Sequence, residues 1–463
     1  MPLESHRFVA VLVGLLLAEA RASAETAATG DVYELRAHSE THAQLFRRAL
    51  LPGPNGELVA TETAAPLREY VSLGGYGFAS PLGADSVDIE ISAWGSVQLG
   101  EPLYLGRYDG DLQSANVLLR SSSNLEPRLR LGRQQVAGGA ARFARFDGAY
   151  GSVAVVPELT LSAYGGWTVL PRWDREPGYY LLGSAADTEL RHPEALQDVD
   201  RSGFWLAGGR VAYADGPVRV AASLHEQRES SELGRRNLGL DAGADVTDDL
   251  GVGGDLLFEL DSSRIANLNV WSDLTAFRVV DLNVEYLRTE PALLLSRQSV
   301  LSVFSTDGYH ETGGSLRWRL DERFSLGGAG WIDIYDGEHQ PGARVHGNAR
   351  YATKGRFPTI ASITYSRVVA PDNGYHGLKA ALSRRLLPPL TGTLQLFGFF
   401  YDEPIEGYRT SSIYSTTLEY AFLERLALLL GGSLARSPYA SLDASALLRL
   451  TYEFDAPSRR PEW

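Results

Sequence analysis

The residue types that most often carry chemistry are present in this chain but scattered. Nine histidines occur in 463 residues. His6 lies in an apolar leader, His38 and His42 in a weakly alternating segment, and His192 and His339 in polar connections; His225, His310, His346 and His376 lie in or near alternating segments. Hydrolysis needs a histidine beside a nucleophile and a third group that orients it. No His-x-Ser element occurs, and the acidic pair Asp248-Asp249 sits at a turn. Asp109-Gly110-Asp111 and Asp307-Gly308 offer oxygen ligands without the full spacing of a calcium loop. They read as turns. The expectation is a protein that is not an enzyme and needs neither metal nor cofactor.

A second set of charged residues is regular. Arg128, Arg130, Arg317, Arg319, Arg344 and Arg350 fall on the polar positions of alternating segments. On the polar positions of the segments between 237 and 285 stand Asp241, Asp245, Asp255, Glu259, Asp281 and Glu285, with Asn267, Asn269 and Asn283. If those positions line a water-filled channel, arginines on one wall and carboxylates on another create a transverse field that orients dipolar solutes and sets ion preference. The plainer alternative is a solvated strand face without selectivity.

Rows of this kind need strands, and the alternation that defines strands runs through most of the chain. In SVDIEISAWGSVQL, 86 to 99, Val87, Ile89, Ile91, Ala93, Val97 and Leu99 take one face and Asp88, Glu90, Ser92, Ser96 and Gln98 the other. That is a period of two. RLRLGRQQVA, FDGAYGSVAVV and ELTLSAYGGW repeat the pattern between 128 and 167, and SLDASALLRLTYEF, 441 to 454, holds it for its whole length. The repeated segments of roughly nine to ten residues match the ~9–11 that a tilted strand needs to cross a bilayer. No fixed repeat of the solenoid or propeller kind is visible.

The N-terminus bears on compartment. Arg7, the run FVAVLVGLLLA and Ala22-Ser23-Ala24 read as a secretory signal peptide over 1–24. No second long apolar run follows, which leaves a secreted soluble β protein or a transmembrane β-barrel. The chain has no cysteine, so disulfides and thiolate metal sites are excluded. The 48 Gly and 22 Tyr suit crowded turns and membrane interfaces, and the formal charge of −14 argues against a nucleic-acid partner.

Sorted by alternate position, the connections fall into a short class, such as Pro157 and 214 to 216, and a class holding every long one, about 47 to 66, 170 to 202 and 290 to 308. Short turns on one rim and long loops on the other predict a single all-β, antiparallel up-and-down transmembrane barrel of about 22 strands, with 18–22 compatible. Residues 67–454 form the barrel in this reading, 25–66 an N-terminal arm with a possible first strand, and 455–463 a C-terminal tail. No plug domain is expected. The segment 172–201 reads as a surface loop or lid, and the apolar 290–308 as a short helix entering the pore or a loop packed on the rim.

On these residues the chain resembles the outer-membrane porins of Gram-negative bacteria. Gly132-Arg133-Gln134 followed by Phe146-Asp147-Gly148-Ala149 is similar to a signature of the alginate-export group. The resemblance implies pore-lining roles for Arg133 and Asp147, with Arg130, Arg142 and Arg145 as neighbours. The segment between the two halves is shorter and richer in Gly and Ala than in that group, so a polysaccharide substrate does not follow. The last strand, ending at the aromatic Phe454, resembles the signal read by the outer-membrane assembly machinery. The expected partners are outer-membrane lipid, that machinery and small polar or anionic solutes. The alternative is a non-conducting barrel serving as receptor, adhesin or envelope scaffold.

Overall fold

In a computed structural model, the described residues are 34–49, 61–79, 84–100, 108–169, 204–229, 232–294, 308–337, 340–370, 373–438 and 440–456. The signal-peptide segment, the 172–201 loop and most of the C-terminal tail lie outside them. The first strands are β1 (Glu34–Ala49), β2 (Thr61–Ala64), β3 (Pro66–Phe78), β4 (Ser86–Gln98), β5 (Tyr108–Arg120), β6 (Arg128–Gly138), β7 (Arg142–Val156) and β8 (Leu159–Thr168). Next come β9 (Trp205–Asp215), β10 (Val218–Glu229), β11 (Glu232–Thr247), β12 (Leu250–Glu259), β13 (Arg264–Ala276), β14 (Val280–Thr289), β15 (Tyr309–Arg319) and β16 (Phe324–Tyr335). The series ends with β17 (Gly342–Ala352), β18 (Thr359–Val369), β19 (Tyr375–Leu387), β20 (Leu390–Ile405), β21 (Tyr408–Leu423), β22 (Leu426–Ser437) and β23 (Ala440–Ala456).

All pairings are antiparallel, and from β3 onward each strand pairs with the next. β2 and β3 are two pieces of one stave interrupted at Ala65, since both pair with β1 in one continuous register. The barrel therefore has 22 staves. It closes where β1 meets β23, from Leu35 opposite Ala456 to Leu45 opposite Ala446. Closure leaves no edge strand, although β5 pairs with β6 only from Ala115 opposite Arg133 to Arg120 opposite Arg128. Following the pairings once round returns to β1 displaced by about two dozen residues, a shear that tilts the strands by roughly 35–45°. The barrel thus includes residues 34–49, in the region read as an N-terminal arm, and runs two residues past Phe454.

The pleat sorts the side chains. One face of most staves carries exposed apolar residues, among them Leu129, Val211, Val270, Val284, Ile332, Ile363 and Leu434. The other carries most of the polar and charged residues. No helix among the described residues is long and apolar enough to cross a membrane. The spanning elements are strands of 10 to 17 residues, β2 apart.

Local features follow from residue type. At Gly132, φ is 114°, and a Cβ there would strike the Ala115 carbonyl. Gly132, Gly148 and Gly166 face one another across β6, β7 and β8. The Gln134 side chain is buried against this row, its amide donating to the carbonyls of Arg130 (3.2 Å) and Gly148 (3.1 Å). Among the short turns, Phe277 and Arg278 hold φ of 54° and 59° between β13 and β14, which matches the right-handed twist of a hairpin. Asp321 accepts from the N–H groups of Arg323 and Phe324 at 2.6 and 2.7 Å, which holds its carboxyl below the usual range.

The face assignment has a direct test. Val284, 52% exposed, and Asn283 are neighbours with opposite parity on β14. Val284→Arg is expected to lower folding stability in lipid vesicles by roughly 2–4 kcal/mol, and Asn283→Arg by less than about 1. Denaturant titration of both variants checks this, and equal losses would refute the facing of β14.

Candidate functional site

β6 and β7 do not join by an ordinary hairpin. Gly138 and Gly139 take φ of 85° and 54°, Gly139–Ala141 form a single 3-10 turn, and Arg142 restarts the strand at φ 53°. Glycine occupies the left-handed region at little cost, whereas arginine there is strained. The neighbours of β6 and β7 in the wall are β5 and β8, yet the turn packs against β10, β11 and β12. The chain leaves the wall, crosses inside the barrel and returns, forming a latch over the lumen.

Small residues make the crossing possible. Ala140 is fully buried and Ala141 nearly so. A Cβ on Gly139 would collide with Ser223 and come within 2.9 Å of Arg210 Nη1, and one on Gly239 would collide with the Ala140 nitrogen. The Ala140 N–H donates to Ser223 Oγ (2.8 Å), and that hydroxyl donates to the Gly239 carbonyl (3.3 Å). Asn237 Nδ2 donates to the Ala140 carbonyl at 3.4 Å.

Two apolar clusters hold the latch. Ala141, Ala144, Phe146 and Leu206 pack together with Val136 and Tyr164 around its base. Ala140, Leu257 and Ala266 form the second, joined by Leu293 and Leu294 of the helical turn Pro291–Leu294. Arg235 Nη2 donates to the Leu294 carbonyl at 2.9 Å. The first residues of the apolar 290–308 connection therefore pack against the latch; residues 295–307 lie outside the described set. Tyr164 stacks between Phe146 and the buried His225, its hydroxyl 3.0 Å from His225 Nδ1.

Charge lies on the wall beside the latch. Arg210 Nη1 is 2.9 Å from Asp241 Oδ2, Asp255 stands opposite Asp241, and Arg142 is within electrostatic reach of Asp255. Toward the short-turn rim, Arg219 pairs with Asp245 at 3.2 Å. Farther round, Arg319 pairs with Asp281 at 3.0 Å, Arg317 is opposite Asp281, and Arg344 pairs with Glu311 while lying 5.0 Å over the Trp331 ring. Glu285 and Arg350 share this inward face, opposite Gly313 and Ser325. Many lumen charges are thus closed by neighbours, so the two expected walls of opposite sign are partly cancelled.

The other sequence-selected residues divide by parity. Arg128, 3.6 Å from Glu126, and Arg130, 5.8 Å over the Tyr150 ring, face inward. Arg133, Arg145 and Asp147 do not share that face. They alternate with the inward Gln134, Ala144 and Phe146 and stand in the row of Leu129, Leu131, Ala149 and the 59% exposed Trp167. There Arg133 grips Asp147 through two hydrogen bonds of 2.7 and 2.8 Å, and Arg145 binds Asp111 at 2.6 Å. Arg133 and Asp147 continue the outward row toward the long-loop rim, whereas Arg145 is buried where β6 no longer pairs with β5, and its partner Asp111 stands opposite the buried Trp94. Glu259 is buried at the same rim, accepting from the Ser262 N–H at 2.6 Å, and serves the β12–β13 connection.

Sequence reasoning missed Arg210, Ser223, Asn237 and Gly239. The first three occupy polar positions of clear strands, but nothing in the sequence states that a Gly-Gly-Ala-Ala connection several staves away folds onto them.

No known protein family and no curated protein matches the sequence. Among solved structures, the outer membrane protein opdK of Pseudomonas aeruginosa aligns at 11% identity over 92% of this chain and 99% of its own, with a TM-score of 0.42. The translocation pore of the P pilus usher PapC aligns at 9% identity over 90% and 99%, with a TM-score of 0.48. A BenF-like porin of Pseudomonas fluorescens Pf-5 aligns at 10% over 92% and 99%, with a TM-score of 0.41. Likeness at this level carries no functional argument, and the fold stands on the strand pairings themselves.

Proposed function

We propose that this chain is a channel of the outer membrane of a Gram-negative bacterium, passing small polar or anionic solutes through a lumen narrowed by the Gly138–Arg142 latch. The observation that carries the reading is the latch itself. It is a segment folded inside a closed barrel, beside inward charges, while the outward face of the same staves is apolar. A soluble protein does not expose so continuous an apolar surface, whereas lipid accepts it. Barrels of this size enclose either a water channel or a plugged lumen. The leader at 1–24 supports export. β23, which closes the barrel and carries Phe454, is the segment we assign to recognition by the assembly machinery.

Beside the latch Arg142 and Arg210 stand next to Asp241 and Asp255, an arrangement that offers passing solutes donors and acceptors together. Arg130 adds an inward cation with no carboxylate partner among the described residues. This composition favours polar solutes carrying an anionic group. We infer no polysaccharide substrate.

Planar-bilayer recordings test the channel. Single-channel steps are expected from the purified, folded barrel, and their absence would leave a receptor or scaffold barrel in place of a pore. Arg130→Glu is expected to move the reversal potential toward cation preference, and Arg133→Glu, on the outward face, to leave it unchanged. A shift from Arg133 equal to that from Arg130 would contradict the facing given above.

The latch makes a separate prediction. Because the chain lacks cysteine, Ala140→Cys is a unique thiol. Buried in the latch, it should react slowly with a water-soluble maleimide. Combining it with Gly239→Val, which places side-chain atoms where the Ala140 nitrogen sits, is expected to speed labelling and raise conductance by roughly twofold as the constriction widens. Fast labelling in the single variant would show that the latch does not occupy this position.

A further inference from the structure

The outer wall carries one constellation twice. On β14, Tyr286 and Arg288 stand two residues apart, and on β18 Tyr365 and Arg367 do the same. Arg288 is directly opposite His310 on β15, and Arg367 directly opposite His376 on β19. Both histidines end a Gly-Tyr-His sequence, and Tyr335-Asp336 and Tyr401-Asp402 follow each at the same spacing. The Tyr286 hydroxyl is 2.7 Å from His310 Nδ1, and the Tyr365 hydroxyl 2.6 Å from His376 Nδ1.

The third strand of each unit supplies a carboxylate. The Asp336 N–H donates to the Gly308 carbonyl at 2.8 Å, and the Asp402 N–H to the Gly374 carbonyl at 2.9 Å. A Cβ on either glycine would collide with the carboxylate, so the glycines let the aspartates fold over the neighbouring strand. Asp336 reaches His310 Nε2 at 3.2 Å, and Arg288 has no ion-pair partner among the described residues. In the second unit Asp402 grips Arg367 at 2.7 and 2.8 Å and stands 4.0 Å from His376. The carboxylate thus takes either the histidine or the arginine.

All of these side chains have the parity of the exposed Val284 and Ile363, at the rim that bears the long connections. A guanidinium, an imidazole and a carboxylate are costly in hydrocarbon, so this height on the wall belongs to a headgroup layer. We propose that each unit binds the phosphorylated sugar headgroup of a glycolipid in the leaflet around the long-loop rim. The arginine and the tyrosine hydroxyl meet the phosphate, with the charge-assisted geometry that suits a planar guanidinium. The aspartate accepts from sugar hydroxyls. A headgroup with phosphate alone would find that carboxylate repulsive, which is why the sugar is part of the assignment. The proposal rests on the membrane-embedded reading of the barrel but not on conduction.

The test uses the full chain in phosphatidylcholine nanodiscs, with native mass spectrometry to count bound lipid. The probes are an acylated disaccharide carrying phosphate, the same lipid dephosphorylated, and phosphatidylglycerol. Two molecules of the phosphorylated probe are expected on the wild type. Arg288→Ala with His310→Ala should remove one, Arg367→Ala with His376→Ala the other, each binding about tenfold more weakly. Single-channel conductance should not change, since these residues face away from the lumen; that readout also shows that the variants fold. If the alanine variants do not fold, Tyr286→Phe with Tyr365→Phe removes only the two hydroxyls and is expected to weaken both sites. Unchanged binding in the combined or tyrosine variants, or equal binding of phosphatidylglycerol, would overturn the proposal. A wild type that binds the probe but does not conduct would overturn the channel reading alone.

Discussion

The structure depends on one constraint: each backbone N–H and C=O of a spanning strand needs a partner where water cannot supply one. The seam between β1 and β23 meets it. β1 is a poor strand by sequence pattern, with His38 and His42 inward and Ser39 and Thr41 in the outward row. It is nonetheless held on both sides along nearly its whole length, because leaving β3 and β23 unpaired would expose two edges to lipid. Its weak outward row is repaired locally, where Ser39 and Thr41 donate to Glu69, which faces the same way on β3. The carboxylate and both hydroxyls are thereby satisfied without a partner from solvent.

This constraint explains which parts of the fold were legible. Segments such as 86–99 and 441–454 alternate cleanly because lipid on one side and polar side chains on the other select each residue in turn. The strand count and the two rims followed from them. β1 was legible only as a possible strand, since partners and not pattern make it one. The 23 strand segments reduce to 22 staves for a related reason: the break at Ala65 interrupts hydrogen bonding without changing register.

The motif and the strand parity point to different faces for Arg133 and Asp147. Arg130 and Arg133 are three residues apart on one strand, so an unbroken pleat puts them on opposite faces. The alternation already grouped Arg133, Arg145 and Asp147 with Leu129 and Leu131. The resemblance at Gly132-Arg133-Gln134 implies an inward Arg133, yet Gly132 holds a φ of 114° within β6, and Gln134 is the residue that fills the inner face there. The twofold Tyr/Arg/His/Asp constellation was hidden for a different cause. The connection inside its first copy is longer than that in the second, so the sequence shows no constant period.

Apolar residues of inward parity carry more information than any charged row. Leu257 lies between the inward Asp255 and Glu259, Phe146 is opposite Gln134 and Thr168, Leu206 is opposite Gln227, and each of the three is almost wholly buried. In a water-filled barrel an uncovered inward phenylalanine loses the stabilisation its burial would bring, on the order of 1.5–3 kcal/mol. Such positions therefore report the footprint of something folded against the inner wall. Here the three residues trace the contact of one short segment, Gly139–Ala141, with the base of its own strand β7 and with β9 and β12 beyond it. The tethers to Ser223 and Asn237 are few, while the wall beneath is a continuous hydrogen-bonded sheet. Position and closure of the latch are thus set by this small apolar contact and by the absence of side chains at Gly139 and Gly239, independently of what stabilises the barrel. A constriction built this way can vary between related chains through a handful of inward positions while the staves remain the same.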